Sequence, residues 1–169
     1  MAIHDLTNEL MIHLEYMIGI EIMPYIEADL RAMGVTHGTP PQTPTIKVVK
    51  GDTTVDGYLP IISIQSGGME SVWLAARTRK DTYRFNIDVN LRVQKIETKD
   101  QFIMGISNSI RNRVMEYHNL AREIYATSTT YYNAWAEATV LGVKGDGTIR
   151  TARFPWWCEV ANTYVDVLS

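Results

Sequence analysis

Apolar residues recur every three or four positions over the first twenty residues. Ile3, Leu6, Leu10, Leu14, Met17 and Ile18 line one face at 3.6 residues per turn, which predicts a long amphipathic helix over 3–22. Pro24 lacks a backbone N–H and disfavours a helical Met23, so a kink or break is expected there. A second helical stretch runs from Tyr25 to Met33, with Glu27 and Arg31 at i,i+4 spacing and Gly34 as its C-cap. Pro40, Pro41 and Pro44 then make 35–45 an extended Pro-rich loop.

Beyond that loop the period falls to two. Thr45 to Lys50 is a short β-branched strand closed by Gly51-Asp52, and Leu59 to Gln65 is a strand expected to end at Gly67-Gly68. Ser71 to Arg77 is a further strand, alternating Val72, Leu74 and Ala76 against Trp73 and Ala75. The clearest pattern is Thr82 to Val93. Tyr83, Phe85, Ile87, Val89, Leu91 and Val93 alternate with polar residues, which predicts a long strand with one dry face and antiparallel neighbours. Thr98 and Gln101 form a capping box for a helix over 99–117 with Ile103, Ile106, Ile110 and Val114 as its stripe. Residues 119–133 fit neither period. Ala136 to Lys144 and Ile149 to Val167 flank Gly145-Asp146-Gly147 as a hairpin, and Pro155 predicts a bulge or an edge in its second arm. This order predicts one α+β domain over 1–169. It is a two-layer fold, with a mainly antiparallel (mixed) sheet flanked by helices.

Composition narrows the function. In 169 residues, 46% are apolar and 21% charged, as in a globular chain with its own core. A net charge of −3 excludes a surface that binds polyanions throughout, but not a local basic patch. A single cysteine, Cys158, excludes an intramolecular disulfide and a four-cysteine zinc site, and suits a reducing compartment. The N-terminus lacks the pattern of a signal peptide and no apolar run approaches a membrane span, so no membrane contact is expected.

The candidate chemistry is sparse. His4, His13, His37 and His118 are scattered, and surface or capping roles are expected for them. Glu9 and His13 at i,i+4 give two ligands, too few for a metal site. Cys158 follows Trp156-Trp157 in a strand, where a buried inert thiol is expected rather than a nucleophile. Lys144-Gly145-Asp146-Gly147-Thr148 lacks the spacing of a phosphate loop. No catalytic residue, metal or cofactor is therefore expected. Arg77, Arg79 and Lys80 form a compact basic run, with Arg84 beyond it; phosphate, an acidic partner or plain solvent would each suit it. The mixed charge of Arg84, Asp88 and Arg92 along the polar strand face suits a protein contact. Trp156 and Trp157 must point to opposite faces, one to the core and the other to a partner, with core packing alone an equal alternative. The interface candidates are thus Pro40, Pro41, Trp73, Arg77, Arg79, Lys80, Arg84, Asp88, Arg92 and Trp156.

The layout also carries a resemblance. An N-terminal helix precedes a Pro-containing loop, then Pro44-Thr45-Ile46-Lys47-Val48, Leu59-Pro60-Ile61-Ile62-Ser63-Ile64, and Tyr83-Arg84-Phe85-Asn86-Ile87-Asp88-Val89 followed by a helix. This resembles the tail terminator, or tail completion, proteins of tailed bacteriophages. The resemblance implies a non-enzymatic virion protein without cofactor, assembled in the host cytoplasm. It implies a ring, usually of six copies, at the head-proximal end of the tail. Its partners would be the tail tube protein and a neck or connector protein, with DNA passing non-specifically through the lumen. Another head–tail connector, a stopper or a tube protein is the near alternative, the last two marked by a closed β-barrel. The basic run leaves a nucleic-acid or small-ligand binding module as a second alternative, and Cys158 a hydrolase or transferase as a third.

Overall fold

The computed structural model describes residues 5–34, 46–51, 61–92, 99–117, 122–144 and 149–163. Helix α1 (Thr7–Tyr16) passes into a π turn (Met17–Glu21) and then into α2 (Met23–Ala32). The expected long N-terminal helix is therefore ten α-helical residues and five of π turn. Pro24 supplies the reason, since it cannot donate to the carbonyl four residues back and crowds it. The ladder loosens ahead of it, and the Ile22 N–H reaches five residues back to Met17 at 3.0 Å. The break falls at Ile22, with Pro24 in the first turn of α2, and Gly34 ends that helix at φ +71° as expected.

The strands are β1 (Lys47–Lys50), β2 (Ile61–Ala75) and β3 (Thr78–Arg92). Helix α3 (Lys99–Glu116) follows, then β4 (Arg122–Glu123), β5 (Thr130–Tyr131), β6 (Asn133–Ala136), β7 (Val140–Lys144) and β8 (Ile149–Thr163). β4 and β5 form a separate small hairpin. The main sheet runs β1-β2-β3-β8-β6, with β7 also on β8; β1 pairs parallel with β2 and the other pairs are antiparallel. It is the predicted mixed, mainly antiparallel sheet with helices against it.

Two sequence boundaries move. Gly67-Gly68 does not end a strand: a bulge between Ser66 and Gly68 carries β2 on to Ala75. Gly68 has φ +112°, a conformation only glycine adopts without strain, so the pair bends the strand instead of stopping it. The arm expected over 136–144 is split into β6 and β7. Pro155 explains the split. Tyr132 donates to the Glu159 carbonyl at 3.1 Å and Glu137 to the Pro155 carbonyl at 3.0 Å. Odd residues of β8 thus turn their backbone polar groups toward β6, and even ones toward β3. The N–H that Pro155 lacks would have pointed to the gap where β6 hands over to β7, so the β3 ladder loses nothing. Pro155 is consequently central, paired with Asn86 without a bulge, and not at an edge.

Ile62, Ile64, Tyr83, Phe85, Ile87, Val89, Ala152, Phe154, Trp156 and Cys158 share one sheet face, buried in one cluster with Leu10, Leu14, Ile18, Ile26, Ile106 and Ile110 of the helical layer. Polar clamps fix that layer. Asp29 of α2 accepts from Ser109 at 2.7 Å and from Arg113 at 2.6 and 2.9 Å, both on α3. The Arg113 hydrogen bonds hold the Asp29 carboxyl below its usual range. The Leu6 N–H, just before α1, donates to the Tyr83 hydroxyl on β3 at 3.2 Å.

Candidate functional site

The opposite sheet face is formed by the even positions of β3 and the odd positions of β8. At one end it is a buried polar network. Arg153 holds Asp88 through two hydrogen bonds of 2.6 and 2.8 Å, and Gln65 adds a third at 3.2 Å. Asn90 donates to Ser63 at 3.2 Å and accepts from Thr151 at 2.9 Å. The bidentate guanidinium–carboxylate geometry locks three strands in register. Asp88, offered by the sequence as an interface residue, is fully buried. Its position is a correction: the carboxylate is consumed inside the chain by Arg153.

Further along the same face runs an aromatic ladder. Arg84 lies directly opposite Trp157, and Trp157 opposite Trp135. The Arg84 guanidinium sits 5.3 Å from the Trp157 ring centre, and the two indoles stack at 5.9 Å with planes 7° apart. The Trp157 indole N–H and the Arg84 Nε are buried with no acceptor among the described residues. Trp156 points the other way, fully buried between Phe85 and Tyr131. The two tryptophans do divide between core and outer face, but Trp157 is the outward one. Trp156 has no surface to offer a partner. Trp135 escaped sequence reasoning because it lies where no period was readable; only the β6–β8 register brings it to Trp157.

Beyond the bulge, β2 and β3 project as an arm. From Ser66 to Arg77 every residue is exposed. Met69 and Trp73 lie on the helix-side face of this strand and Val72 on the other, with exposed Leu74 at a second register shift before Ala75, so the arm is apolar on both sides. Trp73 is 58% exposed and packs against Arg79 at 5.9 Å. The basic run is mostly consumed within the arm. Arg79 is buried against Asp81 at 2.5 Å, and Lys80 pairs with Glu159 at 3.2 Å. Arg79 as a surface candidate is therefore corrected, since Asp81, itself held by Ser71 at 2.7 Å, fixes it inward. Arg77 stands exposed in the turn between β2 and β3. Pro40 and Pro41 lie outside the described residues, as does the side chain of Arg92.

The remaining candidates do not converge. Among the described residues no three potential metal ligands cluster. His4, His37 and His118 lie outside the described residues. His13 is not on the surface. It is buried, accepts the Tyr125 N–H at 3.0 Å, and meets Tyr131 edge-on at 5.6 Å. Its surroundings exclude water from its charged form, which burial first and Arg122 second push down to a pKa of about 4. It borders a polar recess of about 240 Å³ with Glu21 and Arg122, which are ion-paired with each other. Cys158 is buried, and burial raises its thiol far above the ordinary range, opposite to what a nucleophile requires. A mixed groove of about 510 Å³ runs between α1, the π turn and β1. A smaller apolar one, of about 300 Å³, lies over Gly142 between Val140, Thr151 and Arg153. No described helix is long and apolar enough to cross a membrane.

No family model matches this chain, and no curated protein matches it. Among solved structures, a chain of the "Virion of native gene transfer agent (GTA) particle" is similar at 11% identity and a TM-score of 0.46, over 81% of this chain and 92% of that one.

Proposed function

We propose that this protein is a virion structural subunit that acts by assembly and transforms no molecule. In this reading it forms a ring, of six copies, that ends a phage tail tube and joins it to the neck, with DNA passing through unread. The reading rests on the layout it shares with tail terminators. The observation that carries it is the arm: Met69, Val72, Trp73 and Leu74 are 41–59% exposed on one projecting strand, a cluster of large apolar side chains of the kind that marks protein contact sites.

Two features favour a terminator, one over a stopper or tube protein and one over a nucleic-acid module. The described sheet is open and carries helices on one face, where a stopper or tube protein calls for a closed barrel. Arg79 and Lys80 spend their charge on Asp81 and Glu159, which leaves a nucleic-acid module little to bind phosphate with. Native mass spectrometry and negative-stain microscopy of the purified chain, alone and with tail tubes, test the proposal. Rings, or caps on tube ends, are expected. A chain that stays monomeric with tubes present refutes it.

A further inference from the structure

We propose that the outer edge of the β2 arm pairs with the outer edge of β7 on a second copy of this chain, continuing the sheet antiparallel from copy to copy. The inference rests on the self-assembly reading and names the surfaces that meet.

Three independent features converge on it. The first is backbone polarity. Even residues of β8 face β3, so odd residues of β3 face β8 and even ones face β2. Met69, Ser71 and Trp73 pair with odd residues of β3, and their N–H and C=O groups therefore point out from the arm. Ile64 obeys the same rule, its carbonyl accepting from Gly51 on the β1 side at 2.8 Å. On the far side of the sheet, Gly142 spends its groups on Thr151, so Leu141 and Val143 point out from β7. Among the described residues no strand pairs with either edge, because β1 reaches only to Ile64.

The second feature is direction. β2, β3, β8 and β7 alternate, so β2 and β7 run opposite ways. A like-oriented neighbour brings them together antiparallel without turning over.

The third is the match of side chains. Setting Trp73 against Leu141 places Ser71 against Val143, both hydrogen-bonded pairs with their side chains on the helix-side face. On the other face Val72 falls against Gly142. Gly142 floors the 300 Å³ apolar groove, and Val72 is the methyl-bearing residue that would enter it. Leu141, Val143 and Val140 are 39%, 52% and 67% exposed, so both edges present apolar surface to be covered. Edges this poor in charge are otherwise a liability that proteins protect with lysine, proline or a covering element.

The contact joins two different surfaces of one chain, so it is heterologous, as a ring or an open array requires. Val72 and Gly142 stand level with Ala161 and Thr151 on β8. Successive copies are therefore staggered by roughly 33 Å along the strands, and the strands incline to the assembly axis.

The test uses two full-length reduced chains, Val72→Cys and Gly142→Cys, each treated with the mild thiol oxidant diamide alone and as an equimolar mixture. Both sites are exposed, and a Cβ at Gly142 meets nothing nearer than 3.9 Å. The expected result is a disulfide dimer on mixing and none from either chain alone, because a non-hydrogen-bonded antiparallel pair brings Cβ atoms within bridging distance. In parallel, Trp73→Glu should weaken self-association at least about 30-fold. Oligomers that give no mixed disulfide and tolerate Trp73→Glu overturn this interface while leaving the assembly reading standing. A chain that is monomeric both alone and with tail tubes overturns both.

Discussion

His13 makes stability depend on pH in a direction the structure fixes. Its Nδ1 accepts the Tyr125 N–H, so the neutral ring keeps its proton on Nε2. Arg122, Glu21 and the Tyr131 and Tyr125 rings surround it from the β4–β5 hairpin and the π turn. Burial, with Arg122 second, lowers its pKa from 6.5 to about 4. Between those values the unfolded chain binds a proton that the folded chain refuses. This contribution is therefore complete above pH 6.5 and is lost as the pH falls toward 4. Linkage between the two values costs about 2 kcal/mol by about pH 5. His13→Asn retains an acceptor near Nδ1 but carries no titrating proton. The assay is urea unfolding of both proteins followed by tryptophan fluorescence, from about pH 7.5 to about pH 5. Ionisations common to the two proteins cancel in the comparison. The stability advantage of the natural chain over His13→Asn should shrink by about 2 kcal/mol across that range. A difference constant to about 0.5 kcal/mol would refute the reasoning.

Three further outcomes are expected. Arg153→Met strands a carboxylate with no exposed surface and should cost about 3 kcal/mol, against about 1 for Asp88→Asn, because the Arg153 side chain is 44% exposed and takes up water; equal costs in urea unfolding would contradict this. Gly68→Ala forces a side chain into φ +112° and should cost roughly 1–3 kcal/mol, with the bulge absorbing the strain; an unchanged unfolding midpoint would show that the strand needs no glycine there. Cys158 should resist a thiol reagent in the native protein and react at the rate of unfolding; rapid native labelling would restore it as a candidate nucleophile.

Periodic segments were the legible ones. The alternation over 82–93 fixed the buried face of β3, and the stripe of α3 gave that helix within a residue of its end. Pro24 and Gly34 marked helix boundaries because each acts through its own backbone. The errors arose where a residue's role depends on what lies beside it. Gly67-Gly68 has the sequence of a stop, and becomes a bulge only because β3 continues to pair on the far side. Pro155 has the sequence of an edge, and is central because β6 and β7 meet opposite it. The basic run suits phosphate, an acidic partner or solvent equally in the sequence, and only the fold brings Asp81 and Glu159 to Arg79 and Lys80. His13 looked like a surface residue because a helical stripe does not foretell a hairpin folding over its edge. Trp135, Leu141 and Val143 carried no signal beyond being apolar; register alone makes them a surface.

Strand β8 joins the two halves of the sheet, yet follows every other element in the chain. Until residues 149–163 are available, β3 has an open flank and β6 and β7 have no template. The sheet is closed by pairings that span up to 85 positions of sequence, from Thr78 to Thr163. Such distant closure belongs to the slow end of folding rates, roughly milliseconds to seconds. A chain still lacking β8 offers the arm without a finished β7 edge, which would delay joining between copies until each has folded.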